Sequence, residues 1–222
     1  MLRSLFTFFV LFVFFTGATP VRAQYDPDAL NALGSQLIDS TMASLNIRAQ
    51  RFNEELAKIN ALKPMDVTSL AKETIPKNRA KIKEFLSFLE VYRAESATLR
   101  QGIEDTVNAL RSHMPSRHQA SFMKEFLDAY DLDQNAFDKY TLALTKVFTN
   151  INAALDYIDQ SDVTIKDNKL QFTSKGVYDK YSELITAVEK SNKKLINASA
   201  ASQKATIDAS SMMQKAYGAL RK

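Results

Sequence analysis

Residues 82–110 read IKEFLSFLEVYRAESATLRQGIEDTVNAL, and the spacing in this stretch decides the fold class. Ile82, Phe85, Leu89, Tyr92, Ser96, Leu99, Ile103, Thr106 and Leu110 follow one another by alternating threes and fours. On a helix of 3.6 residues per turn these positions line up as one stripe, the seam that packs against partner helices. The polar positions between them carry charges and amides, as a half-buried helix requires. The spacing predicts a long helix from Lys77 to about His113, with Pro115 closing it and Ser116 placed to cap the next.

The same period recurs on either side. Asp26-Pro27-Asp28 supplies a cap residue, a proline suited to a first helical turn and an acid near the positive helix end. Leu30, Leu33 and Leu37, then Leu45, Ala49, Phe52, Leu56 and Ile59, continue at helical spacing until Pro64. Asp66 is placed to cap a short turn over Val67 to Thr74, which Pro76 interrupts or kinks. The third segment carries Phe122, Phe126 and Tyr130, is expected to pause around Asp131-Leu-Asp133, and resumes with Phe137, Tyr140, Leu144, Val147, Ile151, Leu155 and Ile158. Past Asp162 the period changes to two. Val163-Thr-Ile165-Lys-Asp167-Asn168-Lys-Leu170-Gln-Phe172 alternates around an Asp-Asn turn, which predicts a β-hairpin over about 163–173.

A last helix is expected over about 175–220, capped by Thr173 or Ser174, with Tyr181, Leu184, Ile185, Val188, Leu195 and Ile196 in its stripe. Its far half, from Asn197 to Ala205, is rich in small residues, which reads as a fraying end in preference to a close-packing face. Short connections favour antiparallel neighbours. The fold expected is all-α: an elongated antiparallel four-helix, coiled-coil-like bundle with one short hairpin before the last helix. It forms a single domain over 24–222.

The first 23 residues read differently. Arg3 precedes the apolar run Leu5–Phe15, and Val21-Arg22-Ala23 supplies small residues ahead of Gln24. A charged start, a short greasy middle and a small-residue cut site make a signal peptide, and the run is too short to span a bilayer, which needs about 20 apolar residues. Cleavage is expected after Ala23, with a periplasmic or secreted destination. The chain has no cysteine, so a disulfide, a lipid-bearing cysteine, a thiol nucleophile and thiolate zinc are all excluded.

Leu155-Asp-Tyr157-Ile158, the ribbon ending in Leu170-Gln-Phe172, and Tyr178-Asp-Lys-Tyr181-Ser-Glu-Leu184 follow one another in an order with a parallel elsewhere. Over about residues 155–188 it resembles the carboxy-terminal part of an uncharacterised family of helical envelope lipoproteins of Gram-negative bacteria. The resemblance implies a bacterial periplasmic setting and a helix–ribbon–helix order. It implies no activity, and the missing cysteine keeps membrane tethering from carrying over.

Charge is unevenly spread. Residues 24–162 hold 16 basic and 20 acidic groups, net −4, whereas 163–222 hold 11 and 5, net +6. A basic end suits a solvated face, or contact with an anionic membrane surface through Lys190, Lys193 and Lys194. Lys77-Asn-Arg79-Ala-Lys81-Ile-Lys83 is a second basic group with the same two readings. Nucleic acid is excluded for both groups by the expected export and by the lack of interleaved aromatics.

Metal-binding patterns are incomplete. Asp131-Leu-Asp133-Gln-Asn135, flanked by Asp128 and Asp138, begins like a calcium loop. Ala136 then stands where glycine is needed, and Leu142 where a closing glutamate is needed. A helix break with Asp133 as the cap of the resuming helix is the simpler expectation. His113-Met114 with His118 and Met123 offers copper-type ligands but no third histidine or carboxylate at a diagnostic spacing. No nucleophile elbow, His-Glu-x-x-His or phosphate loop is present, so no catalytic residues, metal or cofactor are assigned and the protein is read as a non-enzyme. The function expected is an envelope interaction scaffold or accessory factor, working on a protein partner or an anionic membrane surface, with self-association open to it. The alternative is a bundle binding a small apolar or lipid-like ligand.

Overall fold

The computed structural model describes residues 27–111 and 116–220. The expected signal peptide and its cleavage site, and His113-Met114-Pro115, lie outside the described residues. Four helices account for most of the chain: α1 (Pro27–Asn60), α2 (Ile75–Arg111), α3 (Ser116–Gln160) and α4 (Lys175–Leu220). A single 3-10 turn, Val67–Leu70, stands between α1 and α2, and a hairpin of β1 (Val163–Lys166) and β2 (Lys169–Phe172) stands between α3 and α4. No described helix is long and apolar enough to cross a membrane.

The starts of the elements follow from local chemistry. The Asp66 carboxylate accepts from the Thr68 backbone N–H at 3.2 Å and so caps the 3-10 turn, as its sequence position suggested. α2 begins two residues earlier than expected, at Ile75, and takes Pro76 into its first turn. A first-turn N–H has no intrahelical acceptor, so proline sacrifices nothing there. In the hairpin, Asp167 and Asn168 take φ of 53° and 60°, the left-handed pair of a type I′ turn, and Val163 pairs with Phe172 in antiparallel register. The Phe172 ring packs against Tyr181 and edge-on to Tyr178, which seats the ribbon on the start of α4.

Successive helices run antiparallel. Phe52 of α1 meets Phe88 and Tyr92 of α2; Phe85 of α2 meets Phe148 of α3; Asn150 of α3 donates to Ser191 and to the Ala187 carbonyl of α4. The α3–α4 contact is the most extensive between any two elements.

Buried apolar residues fall into two clusters. One surrounds Phe52, Ile82, Phe85, Leu89, Phe148, Leu155 and Ile158, and reaches the hairpin at Val163. The other gathers Ile103, Val107, Phe122, Phe126 and Tyr130 against Ala209, Met213 and Ala216. Full burial of one such large side chain is worth about 1.5–3 kcal/mol, so these stripes hold the helices together.

Four expectations need correction. α3 does not pause at Asp131-Leu-Asp133; it runs unbroken for 45 residues. Nothing between Ser116 and Gln160 is glycine or proline, and Asp131 is held sideways by a two-point contact to Arg100 at 2.7 and 3.0 Å. Asp133 is therefore not a cap. In α2 the stripe drifts by one residue: Thr106 is exposed and Val107 is buried. Ile196 lies outside the stripe of α4 and is 61% exposed. Finally, α4 does not fray past Asn197. Its small residues let it approach its neighbours closely, and Ser202, Ala205, Ala209 and Ala216 are all buried.

Candidate functional site

Between the two apolar clusters lies a polar layer. Ser96 on α2 marks its level, at a position where the helical stripe turns inward. Its hydroxyl donates to the Tyr92 carbonyl at 3.1 Å and accepts from Arg48 Nη2 of α1. The same Nη2 reaches the Tyr92 carbonyl at 3.2 Å, while the guanidinium lies 4.5 Å over the Tyr92 ring. The hydrogen bonds and ring contact fix the plane of this cation, and fix it on α2. Arg48 Nε is buried and has no hydrogen-bond partner.

From α3, Tyr130 is buried to 1% exposure, and its hydroxyl donates a long 3.4 Å bond to the Ser96 carbonyl. Burial pushes the Tyr130 phenol up to about 12, with Arg48 pulling it back and Asp133 adding to the rise. The Tyr92 phenol is raised in the same way, chiefly by burial. One turn on from Tyr130, Asp133 accepts a hydrogen bond from the Thr206 hydroxyl of α4. No ion pair joins Asp133 to Arg48.

These groups line an open-sided cavity of about 190 Å³. α1 contributes Asn46, Arg48 and Ala49; α2 contributes Tyr92; α3 contributes Tyr130, Asp133, Gln134 and Phe137; α4 contributes Thr206, Ala209, Ser210 and Met213. The positions on α3 and α4 are separated by threes and fours, so each helix shows the cavity a single stripe. Most of the wall is apolar, with one cation and one anion set into it. Such a space can hold a small molecule.

The groups singled out in the sequence are dispersed. Among the described residues no three histidines or acids converge on a point where a metal could sit. Asp128 pairs with Lys124 at 2.7 Å, Asp131 with Arg100, and Asp138 accepts from Gln134 at 2.9 Å, so the acidic run of α3 is spent on side-chain partners. His113 and Met114 lie outside the described residues, as does the side chain of His118. In the basic group of α2, Arg79 is tied to Asp156 and Asp159 of α3, Lys81 to Glu84, and Asn78 is buried, donating to the Ser69 carbonyl. Lys190, Lys193 and Lys194 are all exposed on α4, and none of them forms an ion pair among the described residues.

Sequence reading missed Arg48, Tyr130 and Thr206 as site residues. It placed Ser96 in the stripe and Asp133 in a break. The available signal was the polar residue inside an apolar seam. Asp133 falls three residues after Tyr130 and four before Phe137, a core-facing slot that an acid occupies only with a reason. Comparison with family models, with curated proteins and with solved structures finds no match to this chain.

Proposed function

We propose that the chain is an exported, non-enzymatic helical bundle that serves as an envelope accessory factor by docking the outer face of α4 on an anionic lipid surface. One observation carries this reading. From Lys190 to Ile207, α4 holds Lys190, Lys193, Lys194 and Lys204 and not a single acid, and it exposes Ile196 and Ile207 to 61% and 69%.

The geometry of that face supports the reading. Ile196 and Ile207 are eleven residues apart, about three turns, so they project along nearly one line, and Tyr178, 52% exposed, stands eighteen residues before Ile196 on the same line. Lys193 and Lys204 lie within a fraction of a turn of it. Apolar side chains beside lysines suit a bilayer interface, where the chains enter the boundary and the ammonium groups meet phosphates. A charge-rich protein partner would ask for paired signs, and this segment offers one sign only. The ligand alternative, a lipid-like molecule in the bundle interior, has less support. The cavity of about 190 Å³ is below the several hundred cubic ångströms usual for such sites, and its wall carries two charges.

Sedimentation with vesicles of phosphatidylglycerol and phosphatidylcholine tests the proposal. Each lysine near the surface is worth about 1 kcal/mol, so Lys193→Gln and Lys204→Gln together should weaken partitioning by about thirtyfold at low salt, and Lys190→Gln with Lys194→Gln, which lie farther round the helix, should weaken it less. High salt, which shortens the Debye length from about 10 Å at 0.1 M to about 3 Å at 1 M, should do much the same. Protein that stays wholly in the supernatant with these vesicles at low salt refutes the reading. If it pellets only with protein-containing envelope membranes, a protein partner replaces the lipid.

A further inference from the structure

We infer that the cavity in the polar layer is a binding site for a small zwitterion of amino-acid type bearing an apolar side chain. The inference is independent of the outer face of α4, since it rests on residues on the opposite flank of that helix and on α1 to α3.

Three features lead to that class. The first is charge. Arg48 and Asp133 line one cavity of about 190 Å³ yet form no ion pair with each other. Arg48 is held by its Nη2 alone, and Asp133 takes a hydrogen bond from Thr206 at Oδ1. Each half-buried charge is thus left with bonding capacity that water meets in the free protein and that a ligand group of opposite charge can take over.

The second feature is the rest of the wall. Tyr92, Phe137 and Met213 present rings and a thioether, and Ala49 and Ala209 are the small residues that leave the space open. That surface gains from an apolar group, with the polar Asn46, Gln134 and Ser210 set beside it. The third is size. The volume of about 190 Å³ suits a molecule of single amino-acid dimensions.

Alternatives in charge fail on the same residues. A simple carboxylate satisfies Arg48 and is repelled by Asp133. A simple amine does the reverse. A neutral hydrocarbon fills the wall and shields both charges from water without replacing their hydrogen bonds. A zwitterion sets its carboxylate on the guanidinium, its ammonium on the Asp133 carboxylate and its side chain among Phe137, Met213 and the alanines. Charge-assisted bonds at both ends give it an orientation.

Calorimetric titration of the full chain with L-leucine, isovalerate and isopentylamine reads this directly. Leucine should bind saturably, and each half-molecule should bind about tenfold more weakly or worse. Asp133→Asn keeps the side-chain shape and the acceptor for Thr206, so its fold is preserved. It should lose about tenfold in leucine affinity while leaving isovalerate unchanged or improved. Arg48→Gln should show the mirror pattern, losing leucine and isovalerate and sparing isopentylamine. If Arg48→Gln fails to fold, Asp133→Asn alone decides. Absence of saturable heat with leucine, methionine and phenylalanine up to about 10 mM overturns the inference. Leucine affinity unchanged by Asp133→Asn overturns it equally.

Discussion

Replacing Leu132 by proline asks whether α3 is one helix. Leu132 sits between two aspartates in the stretch that composition alone marks as a break, and it is 39% exposed, so little packing is lost with its side chain. In an unbroken helix its N–H bonds to the carbonyl four residues back, and a proline ring there removes that bond and collides with that carbonyl. The cost is about 3 kcal/mol or more. The two-point Arg100–Asp131 contact at 2.7 and 3.0 Å and the Asp133–Thr206 bond would be misplaced as well, so the figure is a lower bound. For a chain of this length 1 kcal/mol moves Tm by roughly 2–4 °C, which makes the expected drop about 6–12 °C. Leu132→Ala is the reference, because it removes the same side chain and keeps the N–H. Urea denaturation followed by far-ultraviolet circular dichroism measures both. If Leu132→Pro lies within about 0.5 kcal/mol of Leu132→Ala, the helix is interrupted there and the placement of Asp133 in the cavity wall falls with it.

Two further outcomes follow from buried side chains. Burial raises the folded Tyr130 phenol to about 12, against about 10 in the unfolded chain, so its contribution is complete below pH 10 and is lost as pH climbs through 12. Between pH 8 and pH 11 the parent should lose about 1 kcal/mol more than Tyr130→Phe in urea titrations, and equal losses would place the hydroxyl in solvent. Ala216 is fully buried among the small residues of α4 and does not line the cavity, so Ala216→Leu should cost about 1–3 kcal/mol by overpacking, whereas Ala200→Leu on the exposed face should be near neutral. Equal effects of the two leucines would mean that this half of α4 is not packed.

The legible parts of the sequence were those whose cause is local. Alternation with an Asp-Asn pair announced the hairpin because both turn residues must accept left-handed angles, and Asp167 and Asn168 do. The threes and fours of Phe85, Leu89 and Tyr92 announced a buried face, and that face is buried. Reading failed where the deciding partner is distant. Asp131 stays inside a helix because Arg100, thirty-one residues away, holds it, and Asp133 because Thr206, seventy-three residues away, meets it. The alanines and serines after Asn197 look like a weak end until Phe122, Phe126 and Tyr130 are set against them. Small residues contribute by letting a neighbouring helix come close, and that neighbour is not visible in their own segment. The cavity is a four-helix property, and no single stripe encodes it.

The polar layer at Ser96 also answers a question that the stripes raise. Seams built from alternating threes and fours repeat about every seven residues, and a wholly apolar seam can slide by one repeat at modest cost. Here the slide is blocked. Moving α1 by one repeat along α2 would take the Arg48 guanidinium away from the Ser96 hydroxyl and the Tyr92 carbonyl and set it against the Phe85–Phe88 rings on one side, or beside Ile103 on the other. A half-buried cation stripped of these hydrogen bonds loses about 1.5–3 kcal/mol, enough to favour one register. Register alone, however, needs only Arg48 and its partners on α2. It gives no reason for an acid at position 133, on the far wall, held by α4 and unpaired with that arginine. A purely structural layer would have closed on itself as an Arg–Asp pair or been filled by a larger residue at Ala49 or Ala209. Two opposite charges kept apart across open space are therefore explained by what they can receive together.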